Sequence, residues 1–123
     1  MCGQSNCCIA GPTLIFACSG AANVGGIADR AARKLTKESI GKMFCLAGVG
    51  GRIEPINQAT QKASKILAID GCELDCVKNC LQQAGFAEFE HFRVTDLHME
   101  KGKTPITDEN IAKVVEKSSA LLT

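Results

Sequence analysis

The chain has no tryptophan and no tyrosine, and its 123 residues include only five phenylalanines and three prolines. Because the few aromatic residues do not alternate with basic ones, a surface that stacks nucleic-acid bases is not expected. An excess of one charge is also missing, since 14 Lys and Arg residues balance 13 Asp and Glu residues to a net charge of +1. No strong electrostatic field is therefore available to attract nucleic acid or an acidic membrane.

Long apolar runs and an early basic region are absent as well. No run reaches the ~18 apolar residues of a membrane span, and the first basic residue is Arg30. A secretory signal would need positive charge ahead of its apolar segment, and residues 9–17 have none. The length fits one domain large enough to fold without disulfides. We therefore expect a cytoplasmic protein with reduced thiols and no membrane partner.

Cysteine, in contrast, is abundant, with eight residues. Cys18, Cys45 and Cys72 each close an apolar run, at equal intervals of 27 residues (45 − 18 and 72 − 45). A repeat of this length fits one strand, one helix and two short connections. If the strands are parallel, all three sulfurs arrive at the carboxyl edge of one sheet, where open α/β sheets bind their ligands.

Apolar periodicity predicts four strand–helix units. The predicted strands are 13–17, 43–47, 66–69 and 92–97, and the predicted helices begin near Asn23, Glu54, Cys72 and Thr107. This order predicts an α/β fold: a small, three-layer open sheet of about four mainly parallel strands with helices on both faces, Rossmann-like or flavodoxin-like, in strand order 2-1-3-4. Residues 1–12, with Cys2, Cys7 and Cys8, are expected to form a flexible tail, and residues 13–123 a single metal-binding domain.

Helix spacing adds a fourth thiol to the three at the strand ends. In a helix that opens at Cys72, the Cys76 thiol lies on the same face, about 6 Å along the axis. Cys80 lies a further turn away, about 12 Å from Cys72, and is therefore excluded from a mononuclear site. Cys18, Cys45, Cys72 and Cys76 then form a four-thiolate set suited to Zn²⁺, and also to iron or an iron–sulfur cluster. Each can equally be a small buried apolar residue, which is the favoured interpretation for Cys80.

Several segments resemble the motifs of one small family. Asp70-Gly71-Cys72, followed by Cys76, resembles the signature of the DGC domain family, and the segments 18–25, 42–51 and 94–97 resemble its other motifs. The likeness covers about residues 13–101. That family is described as carrying four cysteines thought to bind zinc, so the resemblance implies Cys18, Cys45, Cys72 and Cys76 as zinc ligands. It implies no reaction, because the biochemical role of the family is unassigned.

Two alternatives to a zinc-binding protein stay open, as does the question of whether the protein is an enzyme. One is a thiol redox or sulfur-transfer enzyme, with Cys72 as the nucleophile at a helix start and Cys18 or Cys76 as the resolving thiol. The other is a scaffold whose protein partner recognises the metal-bound edge. A cysteine phosphatase or arsenate reductase is disfavoured, because Val24 follows Cys18 where the oxyanion-binding arginine would stand.

The other polar residues at the strand ends receive structural interpretations. Asp70 ends the third strand and is expected to cap the following helix rather than to support a metal ligand. Asn23 is expected to cap the first helix. His91 and His98 flank the fourth strand and are expected to be surface or hydrogen-bonded residues rather than ligands. Apart from Cys72 in the redox alternative, catalytic residues stay unassigned.

Overall fold

The fold is known from a computed structural model that describes residues 11–123. Its elements in chain order are β1 (Thr13–Ala17), α1 (Asn23–Lys37), β2 (Lys42–Met43), α2 (Leu46–Gly50), α3 (Glu54–Gln61), β3 (Lys65–Asp70), α4 (Cys76–Gln83), β4 (Glu90–Arg93) and α5 (Asp108–Leu122). A 3-10 turn over Val94–Leu97 follows β4. Most of the predicted tail 1–12, with Cys2, Cys7 and Cys8, lies outside the described residues.

The four strands form one parallel sheet in the order β2-β1-β3-β4, which confirms the predicted fold class and strand order. The central strands β1 and β3 pair over five residues, from Thr13↔Lys65 to Ala17↔Ile69. The edge strand β2 pairs with β1 at only two positions. All strands therefore point their carboxyl ends to the same edge of the sheet.

Alternating side chains of the central strands divide the interior into two cores. Ile15 and Leu67 pack with α1 and α5 on one face, and Phe16 and Ala68 pack with α2 and α4 on the other. All four side chains are fully buried. Helices therefore cover both faces of the sheet, as a parallel sheet requires. None of the helices within residues 11–123 has the length and apolar character that a bilayer crossing requires.

The second strand is shorter than the sequence predicted. β2 ends at Met43, and the predicted continuation to Ala47 instead enters the short helix α2. Cys45 is the N-cap of that helix, and its Sγ accepts a hydrogen bond from the Gly48 N–H at 3.3 Å. The run from Met43 to Ala47 is apolar, as a buried strand would be. In a strand, residues two apart lie on the same face, but here Ala47 is exposed and Val49 is buried, which fits a helix.

The helix after β3 begins later than expected. It starts at Cys76, and Cys72 lies in the preceding bend, so the prediction that both cysteines share one helix face is wrong. Asp75 has a left-handed φ of 53°, which a right-handed helix does not contain. Asp70 does cap α4, as predicted, because its carboxylate accepts hydrogen bonds from the Val77 and Lys78 N–H groups.

Two further predictions need correction. The fourth strand ends at Arg93 rather than at residue 97, because the Asp96 carboxylate accepts a hydrogen bond from the Arg93 N–H at 3.0 Å and closes the 3-10 turn. Ala22, rather than Asn23, occupies the N-cap position of α1. The Asn23 side chain bonds instead to the connection that precedes α5.

Candidate functional site

Four of the cysteines lie at the carboxyl edge of the sheet. Cys18 directly follows β1, while Cys45 and Cys72 each lie two residues beyond the ends of β2 and β3. Cys76 is the first residue of α4. Three neighbouring parallel strands thus each deliver one thiol to the same edge, and the helix after the third strand supplies another.

Two glycines allow the loops at this edge to pack closely. A Cβ added to Gly25 would lie 2.7 Å from the backbone nitrogen of Gly20. A Cβ added to Gly71 would lie 3.0 Å from the Val24 Cγ2 and 3.1 Å from the Gly25 nitrogen. The start of α1 therefore packs closely against the loops after both β1 and β3. This contact fixes the backbone on which Cys18 and Cys72 stand and explains the glycine of the Asp-Gly-Cys segment.

Asp70 connects the end of β3 to two neighbouring elements. Its carboxylate is 1% exposed, and its two oxygens accept hydrogen bonds from the Val77 N–H (2.7 Å) and the Lys78 N–H (3.1 Å). The Nε2 of His91, on β4, lies 2.9 Å from its Oδ2. Positive charge at the helix N-terminus suits a buried carboxylate. Asp70 thereby fixes where α4, and with it Cys76, begins.

Asp70 is also part of the only group of three possible metal donors, among residues 11–123, whose atoms all lie within 4.8 Å of one another; the others are Asp75 and His91. Arg93 binds both oxygens of Asp75 at 2.7 Å, and these hydrogen bonds lower the pKa of that carboxyl. Both carboxylates are thus already matched by hydrogen-bond donors. A cation would have to displace Arg93, so this group fits a structural network better than a metal site.

Cys72 is the least accessible of the described thiols, with a relative exposure of 9%. It packs within the core formed with α1 and α5. The ammonium group of Lys101 lies over it and donates a hydrogen bond to its Sγ at 3.5 Å. The loop before α5 therefore places a positive charge next to the sulfur.

The thiols lie close enough to influence one another electrostatically. Burial raises the pKa of the Cys76 thiol, and negative charge on its neighbours raises it further; those neighbours are Cys18, Asp70, Cys72 and Cys80. No three sulfurs among residues 11–123 lie within 4.8 Å of one another. The sulfurs gather along one edge of the sheet without converging on a single point.

Cys80, which the sequence argument excludes from a mononuclear site, also lies near this edge. It lines a cleft of about 1050 Å³ together with Cys18 and Cys45. The sequence argument against it measured 12 Å from Cys72 along one helix, but α4 begins at Cys76, so Cys80 stands only one turn from the helix start. The i, i+4 spacing places Cys80 on the same face of α4 as Cys76.

The motifs at this edge are those of a known family. The family model of the DGC domain matches residues 14–118. The chain belongs to the DGC domain family. Over 88 residues, which are 72% of this chain and 67% of the relative, it is 35% identical to the anaerobic and virulence modulator AnvM of Pseudomonas aeruginosa. No solved structure matches the chain. The resemblance recognised from the Asp-Gly-Cys segment is thereby confirmed.

Proposed function

We propose that this DGC domain binds one Zn²⁺ through Cys18, Cys45, Cys72 and Cys76. The observation that carries the proposal is the placement of these thiols, one after each of three neighbouring parallel strands and one at the start of α4. Thiolates are the ligands that Zn²⁺ prefers in structural sites. Iron binds the same donors and is the alternative metal.

The surroundings of the sulfurs fit a bound metal. Four thiolates around Zn²⁺ carry a net charge of −2, which N–H donors around the sulfurs stabilise. The Gly48 N–H donates to Cys45 Sγ and the Lys101 ammonium donates to Cys72 Sγ. The raised pKa of Cys76 reflects burial and repulsion from nearby negative groups, and a divalent cation between the thiolates would reverse that repulsion.

Binding requires the sulfurs to close on the ion, since thiolates on one Zn²⁺ lie about 4 Å apart. Cys45 is exposed and follows a strand of two residues, so its side chain and loop are the parts with room to move. Metal binding would therefore also order this edge of the sheet. A closed four-thiolate site has no open coordination position, so its role is structural, storage or recognition rather than Lewis-acid catalysis.

The thiol redox or sulfur-transfer function is less well supported. Its proposed nucleophile, Cys72, is only 9% exposed, which limits the access of a substrate to the sulfur. A scaffold function combines readily with metal binding, since a partner could recognise the metal-bound edge. The relative's name, anaerobic and virulence modulator, fits such a regulatory role. The proposed compartment is the cytoplasm, where thiols stay reduced.

The test is metal content in matched cysteine variants. Protein purified under reducing conditions is expected to hold about one zinc per chain and to protect four thiols from a thiol reagent until a chelator is added. Cys76→Ser is expected to lower the bound metal sharply, whereas Cys80→Ser, one turn along the same helix, leaves it near one per chain. Serine at Cys2, Cys7 or Cys8 provides the control for the tail.

Two results would overturn the proposal. The first is a wild-type protein without metal that forms a reversible disulfide between Cys72 and another cysteine of the set, which would favour the redox function. The second is a loss of metal in Cys80→Ser equal to the loss in Cys76→Ser, which would assign the site to a different set of thiols.

A further inference from the structure

The connection from the 3-10 turn to α5 contacts Asn23 and Cys72, which both follow strands at the carboxyl edge of the sheet; residues 99–104 of it are called the strap. Asn23, at the start of α1, holds the strap with every hydrogen-bonding group of its side chain. Its Nδ2 donates to the carbonyl oxygens of Glu100 (3.1 Å) and Thr104 (2.7 Å), and its Oδ1 accepts from the Gly102 N–H (2.6 Å). One amide side chain thus fixes three backbone groups about 80 residues away.

The strap is also ordered by its own contacts. The Glu100 N–H donates to the Thr104 Oγ1 at 2.6 Å, and the Lys103 N–H donates to the Glu100 carbonyl oxygen at 3.1 Å. Met99 anchors its beginning in the core, where it is almost fully buried. The backbone on which Lys101 stands is therefore held at both ends and in the middle.

Lys101 lies between Glu100 and Gly102, two of the residues that Asn23 binds. Its ammonium reaches down to Cys72 Sγ at 3.5 Å. Lys101 is an exposed residue overall, and its ammonium is the part that contacts the sulfur. Holding a flexible lysine side chain in one place costs rotamer entropy, so a fixed backbone favours this contact. The fixed strap directs the charge of Lys101 to the one described cysteine that is classed as buried.

We propose that Lys101 is a functional member of the thiol site, the cation that stabilises Cys72 as a metal-bound thiolate, and that Asn23 is the residue that positions it. This inference rests on the proposed metal-binding function. Four thiolates exceed the charge of one divalent metal by two, and the carboxylate of Asp70 stands two residues before Cys72 with almost no exposure. The ammonium of Lys101 offsets part of this negative charge directly at a ligand sulfur.

The charge itself is tested by zinc affinity, measured by competition with a chromophoric chelator. Lys101→Met keeps most of the apolar stem but removes the ammonium, and it is expected to weaken zinc binding roughly 10- to 100-fold, the usual effect of losing a group that supports a metal ligand. Lys101→Arg keeps a cation and is expected to recover most of the affinity. Lys103→Met removes an ammonium on the same loop that lies by Glu100 rather than by a sulfur, and this matched control is expected to bind zinc as the wild type does.

The positioning role of Asn23 is tested by combining substitutions. Asn23→Ala is expected to weaken zinc binding roughly 10-fold, because the ammonium of Lys101 is no longer held at Cys72 Sγ. In protein that already carries Lys101→Met, adding Asn23→Ala is expected to cause little further loss of zinc affinity, since the two residues act through the same contact. Thermal unfolding followed by circular dichroism checks that Asn23→Ala is folded.

The outcomes separate the inference from the function on which it rests. Zinc bound equally tightly by wild type and Lys101→Met overturns the role of Lys101 while the metal site stands. Asn23→Ala that binds zinc as tightly as wild type, or that weakens binding by the same factor with and without Lys101→Met, overturns the positioning role of Asn23. A wild-type protein that binds no zinc or iron overturns the proposed function itself, and with it the role assigned to Lys101.

Discussion

Replacing Asp70 with asparagine removes a negative charge from a side chain that is 1% exposed while almost preserving its volume. Only one of the two carboxylate oxygens remains as an acceptor, and the new amide NH₂ must face either the Val77 or the Lys78 N–H, donor against donor. The substitution also weakens the bond to His91 on β4. Asp70→Asn therefore tests whether one carboxylate holds the end of β3, the start of α4 and β4 together.

The expected loss of stability follows from these contacts. A hydrogen bond to a charged group is worth about 1.5–3 kcal/mol, and a negative charge at a helix N-terminus adds up to about 1 kcal/mol in ordinary sites. Because asparagine keeps part of the cap, we expect Asp70→Asn to lower the free energy of unfolding by about 2–4 kcal/mol. A domain of ordinary stability, about 5–15 kcal/mol, would remain folded but markedly weakened.

The measurement is urea unfolding followed by circular dichroism, with reductant and chelator present so that metal binding does not contribute. Glu73→Gln makes the same chemical change three residues away on an exposed side chain, and it is expected to stay within about 0.5 kcal/mol of the wild type. If Asp70→Asn also stayed within 0.5 kcal/mol, the assignment of Asp70 as the residue that organises this edge would be wrong.

Three further substitutions test separate parts of the fold, each by urea unfolding. Gly71→Ala is expected to cost about 1–3 kcal/mol because its Cβ would lie 3.0 Å from Val24 Cγ2; an unchanged midpoint would contradict this close packing. Thr107→Ala removes the hydroxyl that caps α5 and is expected to cost about 1 kcal/mol, whereas Thr107→Ser should cost little. Burial raises the pKa of Asp29, but the hydrogen bond and charge of Arg33 outweigh it, so the net pKa is lowered. The ionised Asp29 carboxylate therefore stabilises the fold above its ordinary pKa of 3.8, and this stability is lost as pH falls through the lowered value. Asp29→Asn should lower the free energy of unfolding by less than about 1 kcal/mol at pH 7 and by less still near pH 3. Equal losses at both pH values would count against this linkage.

The central part of the sheet could be predicted from the sequence because its signals are local. Residues 13–17 form an apolar run between polar turns, and the structure places β1 over the same residues. The strand–helix alternation predicts parallel strands, since parallel neighbours need crossover helices, and the order found is that of the flavodoxin-like pattern. Asp70 was expected to cap a helix that opens at Cys72, and it does cap α4, although that helix begins at Cys76 and the carboxylate accepts from Val77 and Lys78.

The helix and strand boundaries that were predicted wrongly depend on contacts between residues distant in sequence or on side-chain caps. The segment from Phe44 to Ala47 has a strand-like composition, but the Gly48 N–H bonds to Cys45 Sγ and the Val49 N–H to the Cys45 carbonyl oxygen, which start a helix. The spacing of Cys72, Cys76 and Cys80 has the period of a helix, yet Asp75 adopts φ > 0 between the first two. The role of Asn23 could not be predicted, because its partners lie about 80 residues away along the chain.

The short length of β2 affects how fast a bound metal would be released rather than where its ligands lie. An edge strand of two residues, with one neighbour, is among the elements that open first in native-state fluctuations. Cys45 lies just beyond it, whereas Cys18 and Cys72 follow the two central strands, which pair over five residues. If the thiols hold a metal, ligand release begins at Cys45, and the residence time of the ion is governed by how often this edge of the sheet frays.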